Sequence, residues 1–135
     1  MTPEDMATLH AQAMEHTRPW SAAEFRDLMA SKLVFSKTTQ NSFALGRVVA
    51  DEAELLTIAV APIHRRKGVG RTTLINFEIE AKHRGASRAF LDVSANNFGA
   101  IQLYRSSGWQ EIGRRKGYYA SGEGRIDAIL MEKQL

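Results

Sequence analysis

The run "AELLTIAV", residues 53 to 60, closed by Pro62 and followed by "IHRRKGVGRTTL", restricts the fold more than any other stretch. Its nearly continuous apolar character, with Thr57, Ile58 and Val60 β-branched, is that of an interior strand rather than one with a wet face. Pro62 cannot donate to a ladder and ends the strand. Beyond the turn, Leu74, Phe77 and Ala81 fall on one face of a helix, and "KHRG" gives a basic last turn with Gly85 as the stop. Interior strand, glycine turn and helix in that order call for a sheet with helices packed on it, the mixed α/β class.

The remaining elements fit around this unit. Thr2, Pro3 and Asp5 start a helix expected to reach about His16. In "PWSAAEF", Ser21 and Glu24 make a capping box and Trp20 and Phe25 a hydrophobic staple, so a second helix follows, ending near Ser31. "LVFSKTT" and "SFALGRVV" are strands around Gln40-Asn41, and "RAFLDV" is a short buried strand. "NNFGAIQLYRSSG" is a helix capped by Asn96 or Asn97 and closed at Gly108. Trp109 to Arg114 and Ile126 to Glu132 are strands joined by a loop "KGYYASGEG". The expected order is ααβββαβαββ in a single domain over residues 1–135.

Composition sets the outer limits. The chain has 135 residues, 44% apolar and 24% charged, enough for one core. The formal charge of +3, from 18 basic against 15 acidic residues, is too small to indicate a polyanion-coating protein. No RNP1-type aromatic and basic pattern accompanies it, so dedicated nucleic-acid binding is not expected. There is no cysteine, which removes disulfides and thiolate chemistry, and the four histidines show no ligand spacing beside acids, so no metal is expected. The acidic start "MTPEDMATLH" has no apolar run of a leader or anchor; a cytoplasmic protein without membrane contact is the expectation.

The turn carries chemistry. Gly68 and Gly70 allow close backbone approach, and a helix start offers free N–H groups and a positive dipole end, which suits a phosphate or pyrophosphate. Arg65, Arg66, Lys67 and Arg71 add positive charge there. A Walker A loop has no match, and the dinucleotide fingerprint fails because Thr73 stands where its third glycine belongs.

Arg65-x-x-Gly68-x-Gly70 resembles the Gln/Arg-x-x-Gly-x-Gly/Ala turn of the GNAT superfamily of N-acetyltransferases. The likeness spans nearly the whole chain, through "LLTIAV", "FLDVSANN" and "AIQLYRSSGW". "PWS", "LDVSANNFGAIQLYRSSGW" and "GRRKGYY" with "DAILM" are most similar to the subgroup of bacterial ribosomal-protein-alanine N-acetyltransferases.

That resemblance implies a mostly antiparallel sheet splayed at the cofactor and flanked by helices. It implies direct transfer of acetyl from acetyl-coenzyme A to an amine, with a protein N-terminus, such as that of a ribosomal protein, as acceptor. Small-molecule amine acetylation on the same fold, or a coenzyme A-binding module without turnover, are the alternatives. Arg65, Arg66, Lys67, Gly68, Val69, Gly70 and Arg71 would hold the cofactor phosphates. Ile58, Ala59 and Val60 would face the thioester, with the Val60 N–H as oxyanion donor, and Asn97 would touch the cofactor. Tyr104 matches the family tyrosine that protonates the leaving thiolate. Asp92 stands where the subgroup carries a glutamate base; being one methylene shorter, it favours proton transfer through a water, and Glu54 is the other candidate. Trp20, Tyr118 and Tyr119 would border the acceptor entrance.

Overall fold

A computed structural model describes residues 1–121 and 124–135. The elements are α1 (Pro3–Ala13), α2 (Ala22–Met29), β1 (Val34–Thr38), β2 (Ser42–Val49), β3 (Glu52–Val60), a 3-10 turn (Pro62–His64), α3 (Val69–His83), β4 (Arg88–Ser94), α4 (Phe98–Ser106), β5 (Gln110–Ser121) and β6 (Gly124–Gln134). The strands form one sheet in the order β1-β2-β3-β4-β6-β5. Only β3 and β4 are parallel; every other neighbouring pair is antiparallel. The expected order and sheet character are therefore present.

Local sequence starts both N-terminal helices. Thr2 with Asp5, and Ser21 with Glu24, form complete capping boxes, and the Trp20 and Phe25 rings lie 5.6 Å apart as the staple requires. The first helix stops at Ala13 rather than near His16 because Arg65 donates to the Ala13 carbonyl at 2.7 Å, a stop supplied from 52 residues away.

Each face of the sheet buries its own apolar cluster. On one face α3 and α4 pack Leu74, Phe77, Ile101 and Tyr104 against Ala44, Leu55, Leu91 and Val93. On the other, α1 and α2 pack Met6, Leu9 and Phe25 against Phe43, Leu45 and Ala59. Phe77 and Leu74 are fully buried, worth roughly 1.5–3 kcal/mol each. Gly46 is required here: a Cβ on it would lie 2.6 Å from the Phe77 ring and 2.7 Å from the Phe35 ring, which stack on each other. Only a bare backbone lets α3 sit that close.

One irregularity shapes the rest. Leu45 pairs with Thr57 and Gly46 with Leu55, so Leu56 is an extra residue, a β-bulge in β3. Its side-chain alternation shifts there. Leu55 faces the α3 cluster, Leu56 packs on the α1/α2 cluster, and Ile58 returns to the α3 side. The bulge bends β3 away from β4, whose pairing ends after Glu52–Arg88, Ala53–Ala89 and Glu54–Phe90. The β4 strand meanwhile stays paired to β6 from Arg88 to Ser94. From Leu55 to Val60 on one side and Leu91 to Ser94 on the other, two strand edges therefore face a wedge-shaped notch.

The expected loop over residues 116 to 124 is mostly strand. Arg115 pairs with Ala128 and Tyr119 with Ile126, leaving Lys116, Gly117 and Tyr118 opposite Asp127 alone. Gly117 takes φ +58 and donates its N–H to Asp127 Oδ1 at 2.9 Å, which stitches the wide bulge into the ladder. The Gly122-Glu123 part of that expected loop lies outside the described residues.

Candidate active site

The glycine turn sits at the mouth of the notch. After the 3-10 turn, Arg66 adopts φ +61 and Gly68 φ +79, and α3 begins. The first helical bond is from the Thr72 N–H to the Gly68 carbonyl, which leaves the N–H groups of Gly68, Val69, Gly70 and Arg71 without helical partners. That donor set suits a pyrophosphate. The basic side chains do not converge on it. Arg65 turns to α1, bonding the Ala13 carbonyl and Glu15 Oε1 at 3.0 Å. Arg71 reaches α4, with Nη2 on Ser106 Oγ at 2.8 Å. Arg66 and Lys67 are exposed and make no ion pair among the described residues.

The end of β3 runs directly into the turn. The Ala61 N–H donates at 2.9 Å to the carbonyl of Asn41, just before β2, so by strand alternation the Val60 N–H points away from β2, toward the notch. Ala59 faces α1 and α2, whereas Ile58 packs on the α3 side. Ile58, Ala59 and Val60 thus border the notch without all presenting side chains to it.

Across the notch the titratable groups divide between the faces. Leu91 and Val93 belong to the α3/α4 cluster, so Asp92 lies on the opposite face, with Phe90, Glu54 and Arg47. Glu54 is held by Arg47, Nη2 to Oε1 at 2.7 Å. The Asp92 carboxylate has no hydrogen bond among the described residues; burial is the main cause that raises its pKa, Arg115 opposes it and Glu54 adds to it. Tyr104 comes from α4 on the other face. Its ring is buried against Trp109, 6.0 Å between centroids, and burial, then Tyr119, raises its pKa. Its hydroxyl has no hydrogen-bond partner among the described residues. Tyr119 lies within reach of Asp92: burial first, then Asp92 and Tyr118, pushes its phenol up to about 12.

A cleft of about 430 Å³ opens beside this cluster, lined by Glu15, His16, Thr17, Arg18, Asn96, Ala120 and Ile126. Three distant segments meet there, and no spacing in the sequence points to the residues from 15 to 18. Tyr118 is exposed and edge-on to Tyr119 at 5.1 Å. Trp20 is not in the cleft lining. Its backbone N–H donates to His10 Nδ1 at 2.9 Å and its ring lies tilted against His10, 5.1 Å between centroids. Of the two asparagines, Asn97 caps α4, accepting from the Ala100 N–H at 3.3 Å, while Asn96 accepts from the Ser94 hydroxyl and lines the cleft. The cap thus falls on Asn97 itself, leaving its amide NH₂ for any other contact.

A sheet opened between its one parallel pair, with a donor-rich helix start at the mouth, is the architecture of an acyl-transfer fold. The chain belongs to the acetyltransferase (GNAT) family, whose model matches residues 9–109. Enzymes of that family use acetyl-coenzyme A as donor. The chain is 39% identical over 129 residues to ribosomal protein bS18-alanine N-acetyltransferase of Escherichia coli K12, covering 93% of this chain and 87% of the relative. It is 31% identical over 121 residues to the same-named enzyme of Haemophilus ducreyi, 86% and 83% covered. The crystal structure of the Escherichia coli ribosomal-protein-S18-alanine N-acetyltransferase superposes with a TM-score of 0.84 at 34% identity, over 95% of this chain and 84% of that one. No helix among the described residues is long and apolar enough to cross a membrane.

Proposed function

We propose that this acetyltransferase acetylates the N-terminal α-amine of a protein, with a ribosomal protein as the acceptor class, by direct transfer in a ternary complex. The observation that carries the reading is the notch, with an unpartnered carboxylate, Asp92, on the α1/α2 face of the sheet and a buried phenol, Tyr104, on the α3/α4 face. The relatives named for acetylating the alanine of a ribosomal protein supply the acceptor class.

Bound acetyl-coenzyme A supplies an activated thioester. The free N–H groups of Gly68 to Arg71 are suited to its pyrophosphate, with Arg66 and Lys67 free to meet its remaining phosphate. The Val60 N–H, turned toward the notch, is suited to stabilise negative charge developing on the acyl oxygen. Asn97 retains its amide N–H groups for the cofactor. Asp92 receives the proton of the amine, directly or through a water, because burial makes it a stronger base and no cation fully claims it. Glu54, already paired with Arg47, modulates Asp92 rather than replacing it. Tyr104, neutral at all working pH, supplies a proton to the departing thiolate.

The acceptor chemistry is consistent with this modest base. An α-amine of pKa near 7.7–8.0 is about 10% neutral at pH 7, against about 0.04% for a lysine near 10.4. The acceptor chain would lie in the cleft beside Glu15, His16 and Asn96, with Tyr118 and Tyr119 along its rim. Trp20 supports this wall from behind through His10. The test is release of free coenzyme A with acetyl-coenzyme A and peptides differing in their first residue, alongside polyamines and aminoglycosides. Turnover is expected only with peptide α-amines; release with polyamines or aminoglycosides alone overturns the acceptor assignment.

A further inference from the structure

Thr73, which breaks the dinucleotide fingerprint, has a task of its own. It is fully buried, as is Ser42 on β2, and their hydroxyl oxygens lie 2.7 Å apart. Thr73 Oγ1 also lies 2.7 Å from the Val69 carbonyl, and Ser42 Oγ lies 2.6 Å from Thr39 Oγ1. Thr39 Oγ1 in turn accepts the Asn41 N–H at 3.2 Å.

The direction of this chain follows from the number of protons. A hydroxyl has one hydrogen. A carbonyl can only accept, so the Thr73 hydrogen goes to Val69. Ser42 must then donate to Thr73, and Thr39 to Ser42. The bonds run one way, from the Asn41 N–H through Thr39, Ser42 and Thr73 to the Val69 carbonyl.

The endpoint matters because the Val69 carbonyl and the Gly70 N–H belong to one rigid peptide plane. Holding the oxygen fixes where the N–H aims. Bonds aligned head to tail also polarise one another, and electron density drawn to the Val69 oxygen makes the Gly70 N–H a stronger donor. Gly70 N–H is among the four that have no partner in α3.

We infer that the hydroxyl chain Thr39–Ser42–Thr73, buried at Ser42 and Thr73, is a positioning device that aims and polarises the Gly70 N–H toward the coenzyme A pyrophosphate. The inference rests on reading the glycine turn as the pyrophosphate site. Thr73 and Ser42 touch neither cofactor nor acceptor; they act through the Val69–Gly70 peptide. Their loss weakens donor binding and leaves acceptor recognition intact.

Thr73→Val keeps the shape and removes the hydroxyl, whereas Thr73→Ser keeps the hydroxyl and removes a methyl. Coenzyme A affinity, measured by calorimetry, is expected to fall about tenfold in Thr73→Val, the scale of one hydrogen bond, and to stay within about twofold in Thr73→Ser. In amide NMR spectra, coenzyme A should move the Gly70 proton downfield in the unsubstituted protein and in Thr73→Ser, and less in Thr73→Val. The KM for the acceptor peptide stays unchanged in both. Ser42→Ala, which cuts the chain one link earlier, should give the same pattern at smaller size and serves if Thr73→Val does not fold. Equal coenzyme A affinity in Thr73→Val and the unsubstituted protein overturns the inference, as does an equal loss in Thr73→Ser and Thr73→Val. If the unsubstituted protein itself does not bind coenzyme A, the pyrophosphate assignment falls first, and this inference with it.

Discussion

The two sides of the notch are built differently. The proposed donor side is nearly contiguous in sequence: the end of β3, the glycine turn and the first turn of α3 lie within residues 58–73 and are braced by buried hydroxyls. The proposed acceptor side is collected from residues 15–18, Asn96, Ala120 and Ile126. A diphosphate is the same in every turnover and can be met by fixed backbone. An acceptor chain varies in its side chains and has to be met by side chains brought from several elements. Donor binding should therefore be robust to changes on the acceptor side, and the reverse.

Tyr104 stands between the two sides and gives the largest expected effect. Tyr104→Phe should lower kcat by about 10²–10³-fold while leaving coenzyme A affinity within about twofold, checked by steady-state kinetics and calorimetry. An unchanged kcat would remove the phenol from the reaction and leave the notch without its acid.

His10 tests the packing beneath α1 and α2 through stability. Its Nδ1 accepts the Trp20 N–H, so Nε2 carries the hydrogen and donates to Thr57 Oγ1 at 3.0 Å, beside the β3 bulge. Burial lowers its pKa from 6.5 to about 4, so the folded state holds it neutral while the unfolded chain takes a proton. Stability is then fully present above about pH 6.5 and is lost as pH falls from 6.5 toward 4, by about 3 kcal/mol in all. Denaturant unfolding at pH 7, 5 and 4 should show this slope, and His10→Gln, which gains no proton, should flatten it. Identical slopes in the two proteins would mean His10 is not a buried neutral link.

Asp92→Asn should lower kcat/KM for the acceptor about tenfold at pH 7, with coenzyme A affinity unchanged. The deficit should shrink near pH 9, where most of an α-amine is already neutral and less depends on a base. A deficit that grows with pH would contradict the assignment. In the unsubstituted protein the carboxylate form is required. Activity that depends on Asp92 is therefore lost as pH falls through a pKa held above the ordinary 3.8.

Arg65 gives the smallest effect and the sharpest distinction between the sides. Its sequence position suggests the donor, yet its guanidinium serves α1 and Glu15. Arg65→Met is expected to raise the acceptor KM about two- to threefold, in keeping with a half-exposed ion pair, and to leave coenzyme A affinity unchanged. A tenfold loss of coenzyme A affinity would return Arg65 to the donor side.

What was legible in the chain follows the same division. The capping boxes at Thr2 and Ser21, the apolar face of α3 and the glycine turn are set by neighbours within a few residues, and the structure contains each of them. Val60 and Asp92 lie on the two strands that part from each other, an arrangement the resemblance implied and spacing could not. The Leu56 bulge was not legible, because "ELLTI" has no residue whose chemistry forces an extra count; the mismatch exists only against β2. The Lys116–Tyr118 segment reads as a loop because Gly117 looks like a breaker, until the Asp127 side chain ten residues on accepts its N–H.

The sequence by itself determined the helices and their caps, the order of elements, the interior strand and the turn suited to a diphosphate, because those depend on bonds and contacts a few residues long. Tertiary structure alone decided the opening of β3 from β4, the acceptor cleft, the end of α1 at Arg65 and the direction of the hydroxyl chain into Val69. Each depends on a partner brought from far along the chain, and strand alternation converts one extra residue in β3 into a changed face and a gap.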